Sequence, residues 1–226
     1  MSAKLSIVIP TLAAEAILPR VFAALMEGLP NGLIREVIVT DGGSDDRTLD
    51  IAEAAGAIVL QGSPSRGGQL RRGCAVARGE WILILHADTV LDTGWSEVVS
   101  DHIASSDRAA VFRLAFAARG LGPAWVAGWA NLRTRLLGLP YGDQGLLVRS
   151  EDYEAAGGYP DQPLMEDVHL VRALPAAPVL LPSRAVTGAE RYRRDGWFGR
   201  GARNLWTLLR YFAGVSPERL ARAYRR

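Results

Sequence analysis

The chain has 226 residues, 49% hydrophobic and 22% charged, with 26 basic residues against 24 acidic ones. That length suits one well-buried α/β domain with an elaborated C-terminal part. A single cysteine, Cys74, excludes an internal disulfide framework, no Cys/His zinc spacing is present, and Cys74 reads as a small buried filler on a helix. No apolar run approaches the ~18–20 residues that span a bilayer, no signal-peptide pattern precedes the first strand, and a cytoplasmic location is expected.

In chain order, Leu5–Pro10 reads as a strand closed by Pro10, and a helix follows over Pro19–Glu27. A second strand covers Ile34–Thr40, and a helix over Asp46–Ala55 is expected to start from Ser44 or Asp45 as N-cap. Ala57–Leu60 is a short strand, Gly67–Arg78 a helix, and Trp81–Leu85 a fully apolar strand. Strands alternating with helices predict a mainly parallel sheet with right-handed crossovers. The pattern then loosens, with a helix over Trp95–Ala104, a strand over Ala109–Ala117 and a helix over Pro123–Leu137. A strand at Leu146–Val148, a turn at Gly157–Pro160, a helix over Glu166–Leu174 and a strand at Val179–Leu181 come next. Trp197–Phe212 forms a long helix, and Pro217 opens the last one.

Two strands end in acids: Ile34–Thr40 runs into Asp41-Gly42-Gly43, and Trp81–Leu85 into His86-Ala87-Asp88. Ligands of open α/β sheets bind at that carboxyl edge, so the pattern points to a polyol, a metal-bound phosphate, or both. Glycines behind Asp41 allow a flat ligand close to the backbone, and Asp88 is placed to hold Mg²⁺ or Mn²⁺ against a diphosphate. Arg66, with Gly67, Gly68 and Gln69 opening a helix, reads as an anion site. Glu166 and Asp167 at a helix start suit either the helix dipole or a general base. Other chemistries lack their signatures: no GxGxxG follows the first strand, no Walker A motif exists in a chain whose one lysine is Lys4, and no GxSxG elbow is present. His86 also stands where a haloacid-dehalogenase phosphatase would need its nucleophilic aspartate.

These residues together resemble a family 2 glycosyltransferase of the GT-A fold. The likeness runs through Ser6–Thr11 with Glu15, Val37–Thr48, Arg66-Gly67, Ala77–Glu80, His86-Ala87-Asp88, Gly157–Tyr159 and Glu166-Asp167. More closely the chain resembles a small bacterial subgroup with Gly-Asp-Gln-Gly (142–145) and Met-Glu-Asp-Val (165–168) elements, whose genes often sit near radical-SAM or selenium-related genes. The resemblance implies that Thr11, Glu15, Asp41 and Gly43 line a nucleotide pocket, with Arg66 and Gln69 nearby. It implies that Asp88 holds a divalent metal on the donor's phosphates, that Asp143 and Gln144 lie near the donor sugar or acceptor, and that Asp167 is the base of an inverting transfer with Glu166 beside it. His86 replaces the first acid of the usual DxD motif, no histidine follows His169, and the asparagine usual before Glu15 is absent. A nucleotidyltransferase, or a nucleotide-sugar-binding module without turnover, remains the alternative.

On this reading residues 1–115 form a nucleotide-binding half, 116–195 an acceptor half, and 196–226 basic C-terminal helices. Residues 191–226 hold ten arginines against Asp195 and Glu218, while residues 1–190 hold 16 basic residues against 22 acids. In the Trp197–Phe212 helix, Trp197, Gly201, Leu205, Leu208, Leu209 and Phe212 share one face, beside a stripe of Arg200, Arg203, Thr207 and Arg210. That face is expected to pack on the catalytic domain, or to make a peripheral contact with anionic lipid useful for a lipid acceptor. No nucleic-acid recognition motif accompanies the charge.

Overall fold

The structure, a computed structural model, describes residues 3–224, so Arg225 and Arg226 of the basic tail lie outside it. Alternation along the strands explains the layers. Leu5, Ile7 and Ile9 of β1 (Leu5–Thr11) point to one apolar core, and Val8 to another. Val39 and Ile38 of β2 (Ile34–Asp41) divide in the same way, as do Trp81/Leu83 and Ile82/Ile84 of β4 (Trp81–Ile84). Strands apolar on both faces must be covered on both. Helices α1 (Leu18–Leu25), α2 (Thr48–Ala54) and α4 (Trp95–Ser105) cover the first face, and α3 (Arg66–Cys74), α6 (Ser150–Ala155) and α7 (Glu166–Ala173) the second. Cys74 fills the second layer as expected, and burial pushes its thiol up to about 12.

The eight-stranded sheet has the order β3-β2-β1-β4-β7-β6-β8-β5. β3 (Ile58–Gln61), β2, β1 and β4 are parallel, and β6 (Ala110–Phe116) is parallel to β8 (Val179–Thr187). β7 (Leu146–Arg149) inserts antiparallel between β4 and β6, and β5 (Thr89–Leu91) pairs antiparallel with β8. The sheet is thus mixed, parallel in its first half. The structure adds β5, α6 and α8 (Glu190–Asp195), which the sequence pattern did not announce, and extends β8 from the expected three residues to nine. Pro182, inside the longer strand, sits where the β6–β8 register shifts, a place where a missing N–H is tolerated. Ser44 and Asp45 do not cap α2, whose N-cap is Arg47; Ser44 is engaged with Asp41 instead. The Gly157–Pro160 turn is present, with both glycines at positive φ.

Three helices complete the fold: α5 (Leu121–Leu137) lies over β6, and α9 (Trp197–Phe212) and α10 (Pro217–Tyr224) close the C-terminal side. Leu208 and Leu220 of α9 and α10 pack on Met165 and Val168 at the start of α7. Buried Arg200 fastens this end, donating to Asp195 at 2.6 Å and to the Tyr224 hydroxyl at 2.8 Å. The expectation for α9 is corrected in part. Arg200, Thr207 and Leu208 face inward, whereas Leu209 and Phe212 of the expected packing face are exposed.

One close approach fixes the second half against the first. A side chain at Gly67 would meet the Pro160 carbonyl at 2.1 Å, and one at Gly68 would meet Asp161 at 2.7 Å. Gly67→Ala should therefore cost about 2 kcal/mol or more in urea unfolding, since neither backbone can yield. Gly128, mid-helix in α5 with no atom near its missing Cβ, should behave oppositely, Gly128→Ala gaining about 0.5–1 kcal/mol.

Candidate active site

The carboxyl edge of the sheet gathers side chains from four separate segments. Arg66 comes from the first residue of α3, His86 and Asp88 from the end of β4, Asp143 from a 3-10 turn (Gly142–Gln144), and Glu166 and Asp167 from the first turn of α7. The Asp167 carboxylate accepts the Gly142 N–H and the Val168 N–H, each at 2.7 Å. A Cβ on Gly142 would fall 2.6 Å from His86 Nε2, so that glycine lets the turn reach both His86 and Asp167. Arg66 Nε lies 3.5 Å from Glu166 Oε1, with Glu166 1% exposed and its Oε2 unpaired. Met165, just before the acids, holds a left-handed φ of 64°, a strained backbone of the kind that concentrates at functional sites.

This cluster is rich in negative charge. Burial, with the charges of Asp167 and Asp88, pushes Asp143 up to about 6, against the pull of Arg133. Burial and Asp167 also raise Glu166 well above the carboxylate range, against the pull of Arg66. Burial and Arg66 push His86 below the usual histidine value, so it is a neutral imidazole at pH 7. The Asp143 Oδ1 atom has no partner and Asp88 is exposed. Among the described residues no three ligand-type side chains form a ready metal site. The donor set still fits a hard cation, because Mg²⁺ and Mn²⁺ with a diphosphate need only one or two protein carboxylates.

The nucleotide side of the edge is organised differently from the expectation. Asp41 is fully buried, and its carboxylate is saturated by the N–H groups of Gly43 and Ser44 and the hydroxyls of Ser44 and Thr11. Burial alone would raise its pKa; these hydrogen bonds hold it below the usual value. Asp41 thus shapes the loop, leaving Gly43 and Glu15 exposed at its rim. Glu15 ties that rim together by accepting the Arg47 N–H. Gln69 and Gln144, expected at the ligand, are corrected to interior struts. Gln69 Nε2 donates at 2.8 Å to the carbonyls of both Thr11 and Thr40, and Gln144 bonds Thr134 and the Phe112 carbonyl. The α3 N-terminus is not an open anion cradle either: Gly67 N–H goes to the Gln162 carbonyl, and Ser65 takes the N–H groups of Gly68 and Gln69. Arg66 alone keeps a free charged face. His169, two residues after Asp167 on α7, is exposed.

Sequence reasoning had not picked out Tyr141, Arg133 or Glu190. Arg133 lies 3.6 Å over the Tyr141 ring beside Asp143, and Glu190 sits at Gly188, whose N–H bonds the Asp88 carbonyl. No spacing signals the Arg133–Tyr141 stack; Glu190, following a Thr-Gly-Ala turn at a helix start, carried a weak one.

The pH response follows from these shifts. Asp143 binds more protons folded than unfolded, so its share of stability falls as pH rises from about 4 to about 6. His86, depressed, acts in the opposite sense over the acid side of the histidine range. Asp143→Asn should therefore raise the melting temperature by an amount that grows from about pH 4 to about pH 6 and levels off above that, and His86→Gln should raise it only at lower pH. Thermal melts from pH 4 to 8 separate the two, and parallel curves for wild type and Asp143→Asn would exclude this account.

The profile of "Glycosyl transferase family 2" matches residues 6–146, more than half of the chain. No curated protein sequence matches. A crystal structure of S. aureus TarS residues 1–349 superposes with a TM-score of 0.63 at 18% identity, over 91% of this chain and 64% of that one. A mannosyltransferase from Pyrobaculum calidifontis, in complex with GDP-Man and Mn²⁺, gives 0.61 at 16% identity over 82% and 57%. Glucosyl-3-phosphoglycerate synthase from Mycobacterium tuberculosis, with Mn²⁺ and UDP-glucose, gives 0.57 at 21% identity over 82% and 70%. At these identities the likeness is one of fold, and the chain spans less than two thirds of the first two proteins. The GT-A layout of the sheet, the acids at its carboxyl edge and the profile match converge: this chain belongs to glycosyl transferase family 2.

Proposed function

We propose that the carboxyl-edge crevice takes a nucleotide-diphosphate sugar and passes its glycosyl group, with inversion, to an acceptor hydroxyl on a lipid or small molecule. The observation that carries this reading is the convergence of four acids, Asp88, Asp143, Glu166 and Asp167, with only Arg66 and Arg133 as cations against them and two buried carboxylate oxygens unpaired. So much negative charge suits a site completed by a metal and a polyol rather than by protein. The structural relatives bound to UDP-glucose or GDP-Man with Mn²⁺ support the donor class.

In this reading the nucleoside rests on the rim made by Glu15 and Gly43, which Asp41 shapes, within the first 115 residues; Thr11, expected in that pocket, is buried and gives its hydroxyl to Asp41 instead. Arg66 offers its free face to the diphosphate. Asp88, with Asp143, would hold Mg²⁺ or Mn²⁺, which when bound neutralises charge on the departing diphosphate. Asp167 takes the acceptor proton, because its carboxylate is held by two backbone N–H groups with lone pairs to spare. Glu166, buried behind Arg66, positions that arginine instead of acting as the base. Neutral His86 contributes no charge where the usual motif has an acid, so Asp88 bears the metal role without a second acid from that motif.

Donor hydrolysis and transfer across a panel of UDP- and GDP-sugars, with Mn²⁺ and with chelator, provide the test. Asp167→Asn should lower turnover by about 10²–10⁴-fold with nucleotide binding intact. Asp88→Ala should remove the Mn²⁺ dependence of nucleotide binding. Nucleotide binding by calorimetry without turnover of any donor would replace the enzyme by a binding module, the alternative that His86 favours.

A further inference from the structure

Fifteen large apolar side chains are exposed among the described residues, and ten of them lie on just two helices, α5 and α9. On α5, Leu121, Trp125, Trp129, Leu132 and Leu136 recur at spacings of three and four, a single helical face. It faces solvent: Leu121 is 89% exposed and Trp125 55%. On α9, Phe198 and Trp206 are 64% and 62% exposed.

The two faces are joined. A Cβ on Gly122 would meet Trp197 at 2.8 Å, the Trp125 and Phe198 rings are 5.3 Å apart, and Trp129 and Leu205 line one gap. Contacts that advance together along both helices set them side by side in the same direction. Scattered exposed apolar residues need no account, but a contiguous tryptophan-rich patch on one side of a protein does.

Charge decides what covers it. Residues 119–138 and 196–214 contain no aspartate or glutamate. Arg119, Arg135 and Arg203 are exposed there, and Arg193 and Arg219 are exposed on the neighbouring α8 and α10. A second copy of the chain meeting this face symmetrically would set arginines against arginines. An anionic bilayer complements it, because tryptophan and phenylalanine settle in the interfacial layer and arginines reach lipid phosphates. Among the described residues no helix is long and apolar enough to cross a membrane, so the contact is peripheral.

We propose that α5 and α9 together form a membrane-docking surface for anionic lipid, with Trp125, Trp129, Phe198 and Trp206 inserted and the flanking arginines on the headgroups. The surface reaches towards the acids. A small cavity of about 30 Å³ lies between the two, lined by Trp129 and Leu205 as well as by Arg133, Tyr141 and Asp143. An acceptor presented by the bilayer would approach by that side; this consequence rests on the transferase reading, whereas docking itself does not.

The test is co-flotation of the full chain with phosphatidylcholine vesicles, with and without phosphatidylglycerol, and without nucleotide or metal. Binding is expected on the anionic vesicles and should weaken as salt rises. The Trp125→Ala/Trp206→Ala pair should lower it by about tenfold or more, and Trp206→Ala alone, at a ring 62% exposed, should lower it with the melting temperature close to wild type. Arg203→Gln should cost about fivefold. No flotation on anionic vesicles, or flotation indifferent to the tryptophan pair, would overturn the proposal. So would a wild-type dimer in sedimentation that Trp206→Ala turns into monomer, which would make the face a contact between copies. No outcome here depends on turnover, so failure of docking and failure of glycosyl transfer remain distinguishable.

Discussion

Glu166 lies out of solvent with Arg66 as its one cationic neighbour, and the arrangement of the candidate site follows from keeping that pair together. A buried carboxylate is tolerable only when paired or protonated. Here the partner comes from α3, packed on the first half of the sheet, and the acid from α7, a hundred residues later. The two meet because Gly67 and Gly68 let the 160–162 segment lie directly on the α3 backbone. Asp167 then falls beside Gly142 and His86, and the 3-10 turn brings Asp143 into the same field. The cluster is electrostatically unfinished: burial, with repulsion from neighbouring acids, raises Asp143 and Glu166, and a bound cation would relieve the repulsion.

The C-terminal helices belong to this arrangement. Met165 holds a left-handed conformation at the N-cap of α7, and its side chain is buried against Val168, Leu208 and Leu220. Packing from α9 and α10 therefore sustains the strained turn that aims Glu166 and Asp167. Arg200, Asp195, Tyr224 and Asn204 lock those helices by hydrogen bonds. The inner face of α9 thus serves the site while the outer face remains apolar and exposed, two roles on one amphipathic helix.

Much of the first half could be read directly from residue order. Period-two alternation and uninterrupted apolar runs define β1, β2 and β4 whatever their neighbours, because a strand's two faces are set by its own pleat. Acids at strand ends place Asp41 and Asp88 at the carboxyl edge of the sheet for the same local reason. Motif order carried the family, since each element occupies a fixed station along the sheet.

What residue order left open was every assignment that depends on a partner distant in the chain. A glutamine reads alike whether it meets a ligand or braces two carbonyls, and only the packed strands turned Gln69 and Gln144 into struts. Asp41 looked free until the loop folded back on it. The helical wheel of α9 offers an apolar stripe and a basic one, and the buried pairing of Arg200 with Asp195 and Tyr224 chose which turned inward. β5 is three residues long and exists because β8 runs beside it, and β8 continues past Pro182 through a register shift against β6. Local sequence determined periodicity and strand ends; tertiary structure decided which polar groups stay unsatisfied, because hydrogen-bond satisfaction belongs to the assembled chain and not to any one segment.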